Sequence, residues 1–337
     1  MFMVARIPCG VLCAVLVLIF CAVLPHAGAA EQPTLTVVAT YDNKGEIFTE
    51  FHKKTGILIH FLDMPPGEIL ARTAAEGGRP LADRWFGAGI DSFLKARDLG
   101  LLEVYRSPEA DAIPTAYKDA EGYWTGVSLV LSGLLVNTDL LAERNLAPPR
   151  LWADLVRPEY RGQLLFADPA VSSATFATIG GLLHKMGEAE GWNYLEALAA
   201  NAAYITKSAS DPQKKVQSGQ VPVALVPLSG EMLGRHGKSP VQALLPGDGI
   251  PYMAVGVAIF KDARNPEGAR AFVDWALSLE GQRIIQAKDP RIMVRPNLPL
   301  PGTLEEGVEL IDVDVVAISR ERRHLLEEWA RRVEKKR

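Results

Sequence analysis

Apolar positions along the chain fall into two alternating kinds of run. Leu35-Thr36-Val37-Val38-Ala39 is short, β-rich and continuous, which predicts a buried strand. Lys44 to Lys54 follows, with Ile47, Phe48 and Phe51 spaced for one helical face and Thr55-Gly56 as its stop. Ile57 to Leu62 reads as a second strand, Gly67 to Glu76 behind Pro65-Pro66 as a second helix, and Ala82 to Phe86 as a third strand. A βαβαβ order of this kind predicts a parallel sheet with helices on its faces.

The pattern repeats after Tyr123. Leu129 to Val136, Gln163 to Ala167 and Val221 to Val226 are apolar runs suited to strands buried on both faces. Helical spacing appears between them, at Ser173 to Met186, Gly191 to Ala200 and Asp211 to Ser218. Tyr252 to Phe260 is one more strand, followed by a helix at Pro266 to Leu277 and a charged helix from about Ser319. The fold class is therefore α/β, with two α/β units, and the length from Glu31 to Arg337 suits two domains of ordinary size.

Composition changes the picture chiefly at the start. Arg6, an apolar run from Val11 to Leu24 and the small residues Ala27-Gly28-Ala29-Ala30 have the layout of a cleaved secretory leader at 1–30. Cys9, Cys13 and Cys21 all lie inside it, so the exported chain is expected to have no thiol and no disulfide. Losing Arg6 leaves 35 basic against 40 acidic side chains and moves the formal charge from −4 to −5. A mildly acidic chain has no general affinity for nucleic acid. The marks of common enzymes are missing too: there is no G-x-S-x-G, no H-E-x-x-H and no phosphate-binding P-loop. His52, His60, His184, His236 and His324 show no ligand spacing, so no metal site, cofactor or catalytic residue is expected.

Open parallel sheets bind ligands outside the carboxyl ends of their strands, where helix N-termini offer unpaired N–H groups and partial positive charge. Four strand-to-helix loops qualify: Thr40-Tyr41-Asp42-Asn43, Gly87-Ala88-Gly89, Val171-Ser172-Ser173-Ala174-Thr175, and Ser208-Ala209-Ser210-Asp211. Asp211 before Pro212 is equally well explained as a helix cap.

The ordered set Trp85-Phe86-Gly87-Ala88-Gly89, Gly122-Tyr123-Trp124-Thr125-Gly126, Leu134-Leu135-Val136-Asn137-Thr138, Trp152-Ala153-Asp154-Leu155 and Pro158-Glu159-Tyr160-Arg161-Gly162 resembles the extracellular solute-binding proteins of the ferric-iron and organophosphate import group. Ala167-Asp168-Pro169 leading to Ser172-Ser173-Ala174-Thr175, and Phe272 to Ser278 leading to Gly281-Gln282, extend the likeness over nearly the whole exported chain. The resemblance implies the type II periplasmic binding protein fold, two α/β lobes joined by a two-strand hinge. Lobe one would be 31–131 plus 252–300, lobe two 132–251, and 301–337 a helical segment packed on them. It also implies a periplasmic protein that encloses a small ligand and presents it to an inner-membrane ABC permease, and a monomer is expected because such a cleft needs no second chain.

The ferric branch carries a tyrosine pair after the strand corresponding to Val221 to Val226. This chain reads Pro227-Leu228-Ser229-Gly230-Glu231 there. The organophosphate branch fits better: Ser172, Ser173, Thr175, Ser208 and Ser210 would serve an anion, and Asp211 and Glu231 its polar remainder. Thr40, Tyr41, Gly87, Ala88 and Trp124 complete the expected ligand-binding set, with Trp85 and Tyr123 as further aromatic walls. No guanidinium clamp stands out among the arginines. A polyol, a polyamine or thiamine remains open, the cations through Asp42, Asp91, Asp211 and Glu231, as does a role as the ligand-sensing partner of a periplasmic kinase domain.

Overall fold

The computed structural model describes residues 33–333 apart from 42, 65, 76–80, 235–238 and 305–306, so the expected leader at 1–30 and Asp42 lie outside the described residues. The chain first runs β1 (Thr34–Ala39), α1 (Lys44–Thr55), β2 (Leu58–Leu62), α2 (Pro66–Ala75) and β3 (Arg84–Gly89). β1 pairs in parallel with both β2 and β3. Phe48 and Phe51 of α1 meet Phe86, Phe272 and Trp275 in an aromatic cluster with ring centroids 4.9 to 6.1 Å apart. Such pairs add to the area they bury, which is why the apolar face of α1 fixes its place on the sheet. Gly56 stops the helix in the left-handed region at φ 72°, its N–H bonded to the His52 carbonyl.

α3 (Ile90–Asp98) and β4 (Leu102–Glu103) lead to β5 (Thr125–Asn137), a thirteen-residue strand. Next come α4 (Thr138–Glu143), β6 (Leu164–Ala167), α5 (Ser173–Met186), α6 (Glu188–Asn201), β7 (Ala202–Thr206), α7 (Asp211–Gln217), β8 (Val223–Leu228), α8 (Gly230–Leu233) and β9 (Val241–Leu244). β10 (Tyr252–Phe260), α9 (Pro266–Leu277), α10 (Leu279–Lys288), β11 (Ile292–Met293), α11 (Val315–Arg320) and α12 (Arg322–Arg332) finish the chain.

The main path of the sheet is β2-β1-β3-β10-β5-β8-β6-β7. Its outer strands are parallel to their neighbours, while β10 and β5 run antiparallel to each other and to the strands beside them. Leu131, midway along β5, faces Tyr252 of β10 on one side and Leu228 of β8 on the other. The first part of β5 thus belongs with β10 and the second with β8 and β9, and these two long strands are the only ladder connection between the two parallel sets among the described residues.

Several elements, among them β7, β9, α10 and β11, have no counterpart in the sequence reading, and two others differ from it. Gly87-Ala88-Gly89, read as a loop, continues β3: Ala88 faces Gly256 and Phe86 faces Val257, which leaves Gly87 as the extra residue of a bulge at φ 93°, a conformation that favours glycine. The single charged helix expected from Ser319 is two helices. Asp314 caps α11 by accepting from the Val316 and Ala317 N–H groups, and α12 begins at Arg322. Among the described residues no helix is long and apolar enough to cross a membrane.

Candidate functional site

Residues that follow β1, β6, β7 and β8, together with the end of β3, line one cavity of about 540 Å³. That volume suits a small molecule, and the position, outside the carboxyl ends of parallel strands, is where helix N-termini converge. Thr40, Gly87, Ala88 and Gly89 form one wall; Ser172, Ser173 and Ala174 form another. Val130 of β5 and Met253 and Val255 of β10 also line it, so the strands that link the two parallel sets border the site.

The wall at α5 presents the start of a helix to the cavity. Ser172 is the N-cap, and its Oγ accepts the Thr175 N–H at 3.2 Å. The first-turn N–H groups of Ser173 and Ala174 have no acceptor inside the helix, and both residues face the cavity. Fourteen residues of aligned peptide dipoles stand behind them. Replacing Ser172 by alanine is expected to cost about 1 kcal/mol of stability through the lost cap, measured as a lower urea midpoint at unchanged slope.

Arg291, which lies between α10 and β11, also lines the cavity. Its guanidinium carbon is 4.3 Å from the centre of the Tyr41 ring, and its Nη2 is 2.8 Å from Asp289 Oδ2. Tyr41 in turn stacks on Phe86, with centroids 4.3 Å apart and planes 12° from parallel, and its hydroxyl shares a hydrogen bond of 2.8 Å with Ser128. This pile fixes the plane of a cation that ordinarily has much rotamer freedom. Burial pushes the Tyr41 phenol up to about 12, with the Arg291 charge and the Ser128 hydrogen bond pulling the other way, so the ring stays neutral at physiological pH.

Glycines set the narrowest approaches. A Cβ on Gly87 would stand 2.7 Å from Tyr41 Cδ2 and 2.8 Å from Thr40 Oγ1. On another rim, a Cβ on Gly230 would stand 2.5 Å from the Pro290 carbonyl oxygen, so the start of α8 touches the segment that carries Arg291. Glu231, in the first turn of α8, lines the cavity with Ser229, Gln213 and Gln217. Chemically, the site offers Arg291 and the α5 amides to an anion, and a carboxylate, amides and hydroxyls to hydroxyl or amine groups.

Of the residues singled out by sequence, Thr40, Gly87, Ala88, Ser172, Ser173 and Glu231 line this cavity together, and Tyr41 lies directly beneath Arg291. Thr175 is buried behind them and contributes the amide that Ser172 accepts. Ser208 and Ser210 have their hydroxyls 3.4 Å from each other and do not line the cavity, although Ala209 between them does. Asp211 opens α7 without reaching the cavity, which Gln213 and Gln217 of the same helix do. Trp124, at 2% exposure, and Trp85, stacked on Phe260, are core residues away from it, while Tyr123 lies under the Arg97 guanidinium. No group of three or more metal-ligating His, Cys, Asp or Glu side chains occurs among the described residues. Arg291 corrects the reading that no guanidinium stands out: it sits in a short segment with no periodic signal, and its only sequence cue is the preceding Asp289-Pro290.

The profile of the family described as bacterial extracellular solute-binding proteins matches residues 87–299. A probable ABC transporter periplasmic-binding protein, y4fP of Sinorhizobium fredii, is 28% identical over 328 residues, covering 93% of this chain and 88% of that protein. The phosphoglycerate transport regulatory protein PgtC of Salmonella typhimurium is 33% identical over 198 residues, 56% of this chain and 46% of that protein. Among solved structures, the periplasmic binding protein AfuA of Actinobacillus pleuropneumoniae, with exogenous fructose-6-phosphate bound, superposes with a TM-score of 0.79 at 27% identity, covering 90% of this chain and 99% of that one.

Proposed function

From the premise that this chain belongs to the bacterial extracellular solute-binding protein family, with the type II periplasmic binding protein fold and the role of solute-binding component of an ABC importer, we propose that its ligand is a small polar anion carrying a phosphate or phosphonate group. One observation carries this reading: Arg291 and the N-terminus of α5 face the same cavity from different elements. Two donors of positive potential on one cavity offer a place for an oxyanion. Glu231, Gln213 and Gln217 suit the hydroxyl or amine groups of the rest of the molecule.

On this reading lobe one is 31–131 with 252–300, lobe two is 132–251, and 301–337 packs on both. The changeover at Leu131 in β5, with its partner Tyr252 in β10, supports hinge motion at that point. The protein acts in the periplasm, after loss of the leader at 1–30, as a monomer that delivers its ligand to an inner-membrane permease, and performs no catalysis of its own. A ferric site through phenolates has no support from Tyr41, whose hydroxyl is engaged with Ser128 and held protonated.

A thermal-shift panel tests the ligand class. Fructose 6-phosphate, 3-phosphoglycerate, 2-aminoethylphosphonate and inorganic phosphate are set against polyols, thiamine and ferric citrate. A phosphorylated or phosphonate compound is expected to raise the midpoint, by an amount equivalent to about 2.7 kcal/mol at a hundredfold excess over its Kd. A shift only with a polyol or thiamine, or a visible iron band without any response to phosphorylated compounds, would overturn the reading.

A further inference from the structure

Beside the ligand cavity, and outside it, a chain of contacts joins its two walls. Asp91, in the first turn of α3, accepts a hydrogen bond from Ser173 Oγ at 2.9 Å. The same carboxylate oxygen lies 3.3 Å from Nη1 of Arg322, an ion pair without the alignment of a hydrogen bond. Arg322 opens α12 and is anchored on the α5 side: its Nη2 donates to the Pro169 carbonyl at 3.1 Å, and its guanidinium lies 4.5 Å from the Phe176 ring centre. The rest of α12 is fastened to that side as well, Trp329 edge-on to Phe166 at 6.0 Å and Arg332 over Trp192 at 5.2 Å. Asp91, from α3, is the member of this set that comes from the other wall, and α11, which leads into α12, packs against both α3 and α5. A second space of about 990 Å³ is bordered by Asp91, Ser173 and Arg322, and Ser173 also lines the ligand cavity, so these contacts meet the cavity at Ser173.

We infer that Asp91 and Arg322 form a clasp across the groove, and that Arg322 is a positioning residue for ligand capture. Opening the groove about β5 and β10 separates Asp91 from both Ser173 and Arg322, so the clasp favours the closed arrangement before any ligand arrives. The second role rests on the anionic reading of the cavity. An anion held by the Ser173 amide sits one side chain away from the Asp91 carboxylate, and like charges at that range repel. Arg322 cancels the carboxylate, which lets the same serine serve both the clasp and the ligand. Asp91 also accepts the hydrogen bond of the Ser173 hydroxyl, so Ser173 meets an anion through its backbone N–H and presents its Oγ lone pairs to donor groups.

The cysteines lie only at positions 9, 13 and 21, so a spin-label pair is placed without competing thiols in a chain produced from Glu31. Thr49→Cys in α1 and Lys214→Cys in α7 are exposed positions on the two sides. Dipolar distance distributions are measured on ligand-free protein for the labelled parent, Arg322→Ala and Asp91→Asn, the last of which breaks the ion pair from the other side should the first fold poorly. Both are expected to shift the population to longer distances than the parent. In calorimetry with fructose 6-phosphate, Arg322→Ala is expected to weaken binding tenfold or more, and Asp91→Asn with Arg322→Ala to recover most of the loss, a rescue that a purely structural role does not give. Superposable ligand-free distributions in both single variants would overturn the clasp. A double variant as weak as Arg322→Ala would overturn the positioning role. If the parent binds no phosphorylated compound, the anionic reading falls instead, while the ligand-free distances still decide the clasp.

Discussion

Arg291→Ala is expected to raise the Kd for a phosphorylated ligand about 10- to 150-fold, the equivalent of losing one charged hydrogen-bond partner worth about 1.5–3 kcal/mol. Preorganisation of the guanidinium is the cause. With its plane laid on Tyr41 and Nη2 facing Asp289, the guanidinium has already given up the freedom that a surface arginine loses only on binding. Arg291→Lys is expected to restore only part of the affinity, because a point charge on a flexible stem neither stacks on the ring nor presents paired donors. The variant has a structural cost as well. Asp289 is almost fully buried, and removing Arg291 takes away the cation beside it, so some loss of stability accompanies the loss of affinity. Arg291→Ala with Asp289→Asn separates the two: stability returns and affinity does not. Titration calorimetry with fructose 6-phosphate and a urea melt of each variant check both halves, and an unchanged Kd in Arg291→Ala would remove the cation from the site.

The same residue shows where sequence reading reaches its limit. Thr40, Ser172 and Ser173 were legible because each follows a run that reads as a buried strand, and the geometry of parallel sheets sends such positions to a common edge. Arg291 follows a helix, and it arrives at that edge only because β11 turns back to pair with β5 at Ser128 and Leu129, a two-residue ladder with no pattern of its own. Glu231 was legible from its place after a strand, whereas Gln213 and Gln217 were hidden on a helix of seven residues whose first position, Asp211, drew attention as a cap. Trp124 illustrates the reverse case. An aromatic residue beside glycines signals burial of a large apolar surface, but one chain position cannot say whether a ligand or the core covers it; here the core does.

Elements were easier than their joints. Tyr252–Phe260, Ser173–Met186 and Pro266–Leu277 carry strong periodicity and fall where their patterns put them. The bulge at Gly87 was not legible, because a glycine after an apolar run signals a turn and an irregular strand equally well, and the choice depends on whether Gly256 and Val257 of β10 are there to pair with. The division of β5 between two sets of partners is likewise a property of the sheet, since a continuous apolar run says only that both faces are covered.

Arg84→Met is expected to stabilise the protein by about 1 kcal/mol or more, toward the low end of the range of about 1–4 kcal/mol for replacing a buried ion pair by apolar side chains, because here no partner is left unpaired. Arg84 lies on β3 with no exposed surface, and none of its guanidinium nitrogens has a hydrogen-bond partner among the described residues. Its guanidinium carbon is 3.9 Å from the Phe272 ring centre, so a cation–π contact offsets part of the cost of leaving water. Burial pushes its proton affinity well below the ordinary arginine value, with the charges of Asp83 and Asp274 pulling it back only in part. Because arginine keeps its proton in proteins, that downward push reads as unrecovered desolvation. Both carboxylates are committed elsewhere: Asp83 accepts from the Thr36 and Asn265 N–H groups, and Asp274 accepts from the Tyr105 hydroxyl. Methionine keeps an unbranched stem against Phe272 and brings no charge to desolvate, and the position is remote from the cavity lining, so ligand affinity is expected to hold. Urea unfolding with and without fructose 6-phosphate measures both quantities. A lower midpoint in Arg84→Met would mean that the guanidinium repays its burial through Phe272 and the two carboxylates, and would place it among the interactions that hold β3 to α9.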